Sequence, residues 1–372
     1  MENGFNLFVA RITPKAFTAR TGPTDNHFYH LKYIQKAKLV MRKYLLPEQG
    51  NFYKANLHCH STISDGRMSP EELKRLYKDA GYSILAITDH NILIDHSDLN
   101  DEDFLTVTSV EIDAMDKSRD RKPCFHLNFY SRTPDNTALP CFNPAHVRHS
   151  EDIYIQNQKY VGTPDYVRDY YKINDMIEEF GKQGFIACLN HVTWSIQDLD
   201  EYRDIKGLFA MEIYNHGCFT EGYDEINSHA YDELLRRGNR IFCFATDDNH
   251  NKYPKDSPRF DSLGGYVMVK SPELSYDSVL GALEKGDFYS STGPSIYEMY
   301  VEDNKLYIKT SPVARICVNT YGRKSSIATA KKRGGLITEA VLDIRDNVYF
   351  RVVVDDGIGH FAWSNAYWCD TL

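Results

Sequence analysis

The sequence predicts an α/β body, either a parallel sheet or an α/β barrel, followed by a small antiparallel β-sandwich. Three observations carry this. From about residue 54, short apolar runs alternate with amphipathic segments, the pattern of strands joined by helices. After residue 294 no helical period survives, and six short strand-like runs crowd into residues 296–372, separated by Asp303-Asn304, Gly334-Gly335, Asp346-Asn347 and Asp355-Asp356-Gly357, as in a sandwich. No run approaches the roughly 18 apolar residues of a membrane span, so no membrane partner is expected.

Taken in order, residues 1–50 read as an N-terminal extension, with apolar residues at helical spacing over 27–46. Residues 51–294 form the α/β body. Its strand runs are 55–60, 83–90, 106–112, 124–130, 185–192, 208–215 and 241–250. Helical patterns fall at 69–81, 172–184, 223–238 and 275–285. The first of these has a full start signal: Ser69 as N-cap, Pro70 at N1 and Glu72 at N3 make a capping box, and Gly81 ends it. Residues 132–165 are polar and Pro-rich and read as a long loop over the mouth of the body. Residues 295–372 form the β-sandwich module.

The composition restricts function. With 42% hydrophobic and 26% charged residues the chain is an ordinary globular one. A net charge of -9 argues against a general nucleic-acid or membrane binder, because both partners are anionic. It leaves room for an anionic small substrate, since bound metal ions can reverse the local field. Eight scattered cysteines without a C-x-x-C pair read as buried free thiols in a reducing compartment. The first residues lack the basic-then-apolar order of a signal peptide. The expected location is therefore cytoplasmic.

Ligand-type side chains fall at the ends of run after run. His58 and His60 end the first, with Asp65 following; Asp89 and His90 end the second, and Glu111 the third. His126 lies in the fourth and His191 ends the fifth. Glu212, Asn215 and His216 close the sixth; Asp247, Asp248 and His250 close the seventh. Any one of these has a plain structural alternative: an H-x-H can be a packed pair, and a lone histidine can be a core residue. Together they place imidazoles and carboxylates of six strands at one mouth, where α/β barrels build their sites. Crowded carboxylates repel one another unless cations sit among them. Nitrogen and oxygen ligands without thiolate suit Zn²⁺, Mn²⁺ or Fe²⁺. On a strand His58 and His60 share a face and can chelate one ion, whereas Cys59 points away.

The ordered motifs N-L-H-C-H-S, S-D-G, I-T-D-H, Glu111, His126, N-H at 190–191 and D-x-H at 248–250 resemble the PHP family, named for its polymerase and histidinol-phosphatase members, over roughly residues 54–292. The resemblance implies a distorted (β/α)7 barrel with two or three divalent ions. His58, His60, Glu111 and Asp248 would hold the first; Glu111 as a bridge, His126 and His191 the second; Asp65, His90 and His250 the third. Glu111, Asp248 and His191 would be the catalytic residues. Asp247 stands where the family usually has a small residue and is a candidate spare ligand. The trailing β-module and the stretch G-D-F-Y-S-S-T-G-P are similar to a stand-alone branch that includes carbaryl-hydrolase-like proteins.

The resulting expectation is a metal-dependent hydrolase of a small phosphate ester, acting through a water that bridges two ions and is ionised near neutral pH. The alternatives are hydrolysis of a carbamate, amide or other ester, and a non-catalytic, metal-stabilised binding protein. Arg259 could contact a phosphate oxygen or make a surface ion pair. Arg67, Arg148, His146 and His149 are weaker candidates, and Trp194 either stacks on substrate or packs. There is no nucleotide-binding glycine motif. Oligomeric state is not legible.

Overall fold

The computed structural model describes residues 42–161, 169–345 and 347–372. The N-terminal reading over 1–41, the end of the 132–165 loop and the turn residue Asp346 lie outside these. The described part of the expected extension is not helical. Lys43–Tyr44 forms strand β1, and Leu45 and Leu46 are buried in the core of the C-terminal strands.

The body opens with β2 (Asn51–Asn56) and α1 (Pro70–Asp79). The Ser69 hydroxyl accepts from the Glu72 amide and the Glu72 carboxylate accepts from the Ser69 amide, so the capping box forms as expected. Leu73 and Tyr77 are the buried face of α1. The chain continues through β3 (Ile84–Ile87), β4 (Leu105–Met115), β5 (Cys124–Ser131), α2 (Asp152–Asn157), α3 (Ile173–Lys182), β6 (Phe185–Leu189), α4 (Leu199–Tyr202), β7 (Leu208–Asn215), α5 (His216–Thr220), α6 (Ser228–Arg236), β8 (Phe242–Thr246), β9 (Tyr266–Ser271), α7 (Tyr276–Lys285) and β10 (Phe288–Ser291). Apolar spacing had marked α1, α3, α6 and α7. The region 132–161 is irregular apart from α2 and short turns, in keeping with a loop.

The C-terminal strands are β11 (Ile296–Glu302), β12 (Lys305–Val313), β13 (Arg315–Thr320), β14 (Ser326–Thr329), β15 (Ile337–Asp343), β16 (Tyr349–Asp355), β17 (Phe361–Ser364) and β18 (Tyr367–Trp368). All their pairings are antiparallel. One layer has the order β1-β11-β12-β15. The other, β14-β13-β16-β17, is continuous with the body through β10. Alternate residues such as Leu306, Ile308, Ile316, Val318, Val352 and Val354 face inward and fill a shared core.

The body departs from an all-parallel closed barrel in two ways. First, β5 and β9 run antiparallel to their neighbours. After Met115 the chain turns back at once, with Asp116 N donating to Pro123 O at 2.9 Å. Such a return makes a hairpin rather than a crossover. Second, among the described residues β8 forms no ladder with β2 or β9. The seam is spanned by an isolated Cys59–Asn249 bridge and by Asp248 N donating to His58 O at 2.9 Å. The reason is local: Asp248 has φ 51, left-handed backbone that a strand cannot continue. The sheet nevertheless curls enough for Ala55, Ala86, Val107, Tyr130, Cys188, Ala210, Phe244 and Val267 to share one core, against which α7 packs.

Candidate metal centre

The segments beyond β2, β3, β6 and β8 meet at one end of the curled sheet, together with parts of β4 and β5. The strand-end reading located these residues, with one exception in mechanism. His126 lies near the start of β5, and it reaches the site because β5 is antiparallel: Asp113 of β4 pairs with His126.

Glu111 is the hub. Its Oε1 lies 3.0 Å from His126 Nδ1, 3.3 Å from His58 Nε2 and 3.6 Å from His191 Nε2; its Oε2 lies 3.2 Å from both His60 Nε2 and His90 Nδ1. Asp248 Oδ1 is 3.1 Å from His58 Nε2 and from His60 Nε2. Asp65 Oδ1 is 3.3 Å from His250 Nε2 and 3.8 Å from His60 Nδ1. His58, His60, Glu111, His191 and Asp248 are buried; Asp65, His90, His126 and His250 are half-buried.

Among the described residues, four groups have ligand atoms within 4.8 Å of one another: His58, His60, Glu111 and Asp248; His60, Asp65, His90 and His250; His90, Glu111 and His126; and His191, Cys218 and Asp248. The first matches the expected first ion, and the second contains the expected third set with His60 added. The expected second set is redistributed. His126 groups with His90, and His191 groups with Cys218 and Asp248.

The donor set fits divalent ions. Neutral imidazoles and ionised carboxylates are their ordinary ligands. The buried His60 Nδ1 makes no hydrogen bond, and His90 Nδ1 and Glu111 Oε2, although 3.2 Å apart, are not in hydrogen-bonding geometry; such atoms call for an explanation in a native site. Other contacts aim the rings. His191 Nδ1 contacts Ser195 Oγ at 3.1 Å, which turns Nε2 inward, and His250 Nδ1 contacts Asp248 O at 3.1 Å.

Three carboxylates that the sequence placed near the ions do something else. Glu212, fully buried, accepts from Thr246 Oγ1 at 2.6 Å, His191 N at 2.9 Å and Asn215 Nδ2 at 2.9 Å, and pairs with His58 Nδ1 at 2.7 Å. It orients His58 from behind. Its strand-end position was visible in the sequence, but its role was not. Asp247 is not a spare ligand. It accepts from the amides of Leu263, Gly264 and Gly265 at 2.7, 2.9 and 2.8 Å and from the Tyr77 hydroxyl at 2.7 Å, and so holds a loop. Asp89 likewise accepts from Ser61 N at 2.9 Å and from the Ser61 and Ser64 hydroxyls at 2.6 and 2.5 Å, which fixes the turn after His60.

The electrostatics are those of a site balanced by protons. Burial opposes charge on His60, but Asp248 and Glu111 outweigh it and push its pKa up to about 10. His58, likewise opposed by burial, is driven well above the usual histidine range by Asp248, Glu111 and Glu212. Burial favours protonation of Glu111, yet His58, His126 and His90 hold it well below the carboxylate range. His90 goes the other way: burial, reinforced by His60 and His126, brings it down to about 4. A coordinating ring must be neutral, so ion binding displaces protons from His58 and His60. Near neutral pH, calorimetric titration in buffers of different ionisation enthalpy should therefore show proton release, with affinity rising as pH rises. Binding without proton release would contradict this charge balance.

The cluster forms the floor of a cavity of about 160 Å³ whose wall includes Trp194, Cys218, Glu221, Lys252, Tyr253 and Arg259. The Trp194 ring packs edge-on against His126 and His191, and its Nε1 donates to Glu221 Oε2 at 3.2 Å. Arg259 is exposed, with its guanidinium 4.2 Å from the centroid of the Tyr253 ring. Lys252 and Tyr253 were not singled out from sequence; proximity to D-x-H was their only signal. Arg67, His146, Arg148, His149 and His216 are not among the lining residues.

No family model matches the chain. A 90-residue stretch is 37% identical to a 5'-3' exoribonuclease of Haemophilus influenzae and covers 23% of this chain. The match spans 32% of that relative. Among solved structures, the chain is similar to a two-domain protein from Bacteroides vulgatus containing a predicted PHP-like metal-dependent phosphoesterase (TM-score 0.43, 14% identity, 84% of this chain and 94% of that one). It is also similar to a putative metal-dependent phosphoesterase from Bifidobacterium adolescentis (TM-score 0.35, 15% identity, 57% of this chain and 91% of that one). No helix among the described residues is long and apolar enough to cross a membrane.

Proposed function

We propose that this chain is a PHP-type metal-dependent hydrolase acting on a small phosphate ester. The observation that carries the reading is the convergence of five histidines on the buried Glu111. A structural ion needs one set of about four ligands; several overlapping sets sharing a carboxylate suit a multi-ion catalytic centre. His58, His60, Glu111 and Asp248 would hold one ion, His126 with Glu111 and His90 would contribute to a second, and Asp65, His90 and His250 with His60 to a third. Divalent ions, when bound there, supply Lewis acidity and an ionised water at neutral pH.

The chain's own groups do the rest. Glu111 and Asp248 stay ionised against burial and keep the histidines in place. Glu212 fixes the His58 ring, and His191 presents Nε2 to the reacting centre. Trp194 shields one side from water. Lys252 and Arg259 at the mouth attract an anionic substrate and orient its phosphoryl group. Arg259→Ala should raise KM for a phosphate ester about tenfold with kcat little changed, the loss of roughly one charge-assisted contact. Steady-state kinetics check this; an unchanged KM would remove Arg259 from the substrate site.

The test of the function is phosphate release from a panel of phosphomonoesters, diesters and short RNA, run in parallel with Zn²⁺, Mn²⁺ and Fe²⁺. RNA belongs in the panel because of the local identity to an exoribonuclease, although a net charge of -9 disfavours long polyanions. Activity confined to carbamates, amides or carboxylic esters would replace the phosphate reading.

A further inference from the structure

Cys218 stands apart from the other thiols of the chain. Its Sγ, the His191 imidazole and the Asp248 carboxylate offer ligand atoms all within 4.8 Å of one another, and all three residues are buried. Each atom of the group has a definite orientation. His191 Nδ1 is engaged by Ser195 Oγ, leaving Nε2 3.6 Å from Asp248 Oδ2. Cys218 Sγ lies 3.8 Å from the same oxygen. Asp248 Oδ1 faces the other way, towards His58 and His60. Asp248 thus divides its two oxygens between the histidine pair and the His191–Cys218 side. Glu111 Oε1 lies 3.6 Å from His191 Nε2, while its Oε2 faces His60 and His90 at 3.2 Å.

The thiol is also held in place from its own element. Cys218 N donates to Asn215 Oδ1 at 2.9 Å. Beside it, a Cβ on Gly217 would come within 2.6 Å of Asp248 O, so only glycine lets the α5 backbone approach the D-x-H segment this closely. Cys218 lines the cavity and is 4% exposed.

We propose that Cys218 is a thiolate ligand, together with His191 and Asp248, to one ion of the centre. The sulfur makes this position selective for Zn²⁺ over Mn²⁺, because thiolate favours the softer ion. Binding replaces the S–H proton by the metal and releases the proton to solvent; no electron is transferred. The inference rests on the metal-dependent reading above.

The probe is Co²⁺ added to the metal-free full-length protein, followed by absorption. Wild type should develop a thiolate-to-cobalt charge-transfer band in the near ultraviolet, and Cys218→Ser should lack it, with Zn²⁺ affinity at that position falling at least about tenfold while Mn²⁺ binding changes little. Cys317→Ser, in the C-terminal sheet, should keep the band. Cobalt bound without such a band, or a band that persists in Cys218→Ser, would overturn the assignment. Absence of any cobalt binding would instead overturn the metal-dependent reading itself. If Cys218→Ser does not fold, mass-spectrometric alkylation of wild type decides: Cys218 should be protected by Zn²⁺, and equal reactivity with and without Zn²⁺ would refute the proposal.

Discussion

Glu111→Ala should abolish hydrolysis and remove at least half of the bound metal. The side chain lies within 3.6 Å of five histidines, so its loss would withdraw negative charge from every ion that they would hold. Cations left facing one another without that carboxylate repel strongly in a buried site. The transition-state stabilisation at stake is several kcal/mol, roughly three or more orders of magnitude in kcat. His90→Ala is the internal comparison. It takes one ligand from the second and third sets but leaves His58, His60, Glu111 and Asp248 complete as a group, so at least one ion should remain and activity should fall by less. Elemental analysis and phosphate release on both variants decide the matter. An empty His90→Ala site beside a full Glu111→Ala site would refute this assignment of residues to ions.

Glu212→Gln has the second largest expected effect, although Glu212 belongs to none of the ligand groups. The carboxylate receives three hydrogen bonds and pairs with His58 in a fully buried setting. A glutamine amide removes the charge that faces His58 and turns an NH₂ towards groups that need an acceptor. Breaking a buried charged pair in this way costs about 3–5 kcal/mol, to be read by denaturant unfolding of the metal-free protein. The freed His58 ring should also weaken metal binding by roughly 10–100-fold. Unchanged affinity would mean that His58 is positioned without Glu212.

Much of the centre was legible because strand ends are legible. An apolar run of four to eight residues closed by a histidine or carboxylate fixes both the element and the end at which the side chain emerges. That is why His58, His60, His90, Glu111, His191, Asp248 and His250 could be placed together. The capping box of α1 was legible for a similar reason, since Ser69, Pro70 and Glu72 act over a single turn. What escaped depends on partners distant in sequence. The polar segment 116–123 gave no sign that β5 would fold back as a hairpin, and the expectation of parallel strands failed there. Asp247 and Asp248 are adjacent and chemically identical, yet one faces the histidines and the other the amides of 263–265. The left-handed backbone at Asp248 separates them, and no local pattern announces it. Cys218 was read, with the other scattered cysteines, as a buried free thiol because no C-x-x-C pair marks it; His191 and Asp248 reach it only through the fold.

The proposed hydrolase requires this cluster to bind several divalent ions. Elemental analysis of the full chain, purified without chelator and supplied with Zn²⁺, Mn²⁺ or Fe²⁺, tests it most directly. The geometry predicts about two to three ions per folded chain, as expected for a multi-ion hydrolytic site. Fewer than about one ion per chain, with the fold intact, would contradict it and leave a histidine-rich binding protein in its place.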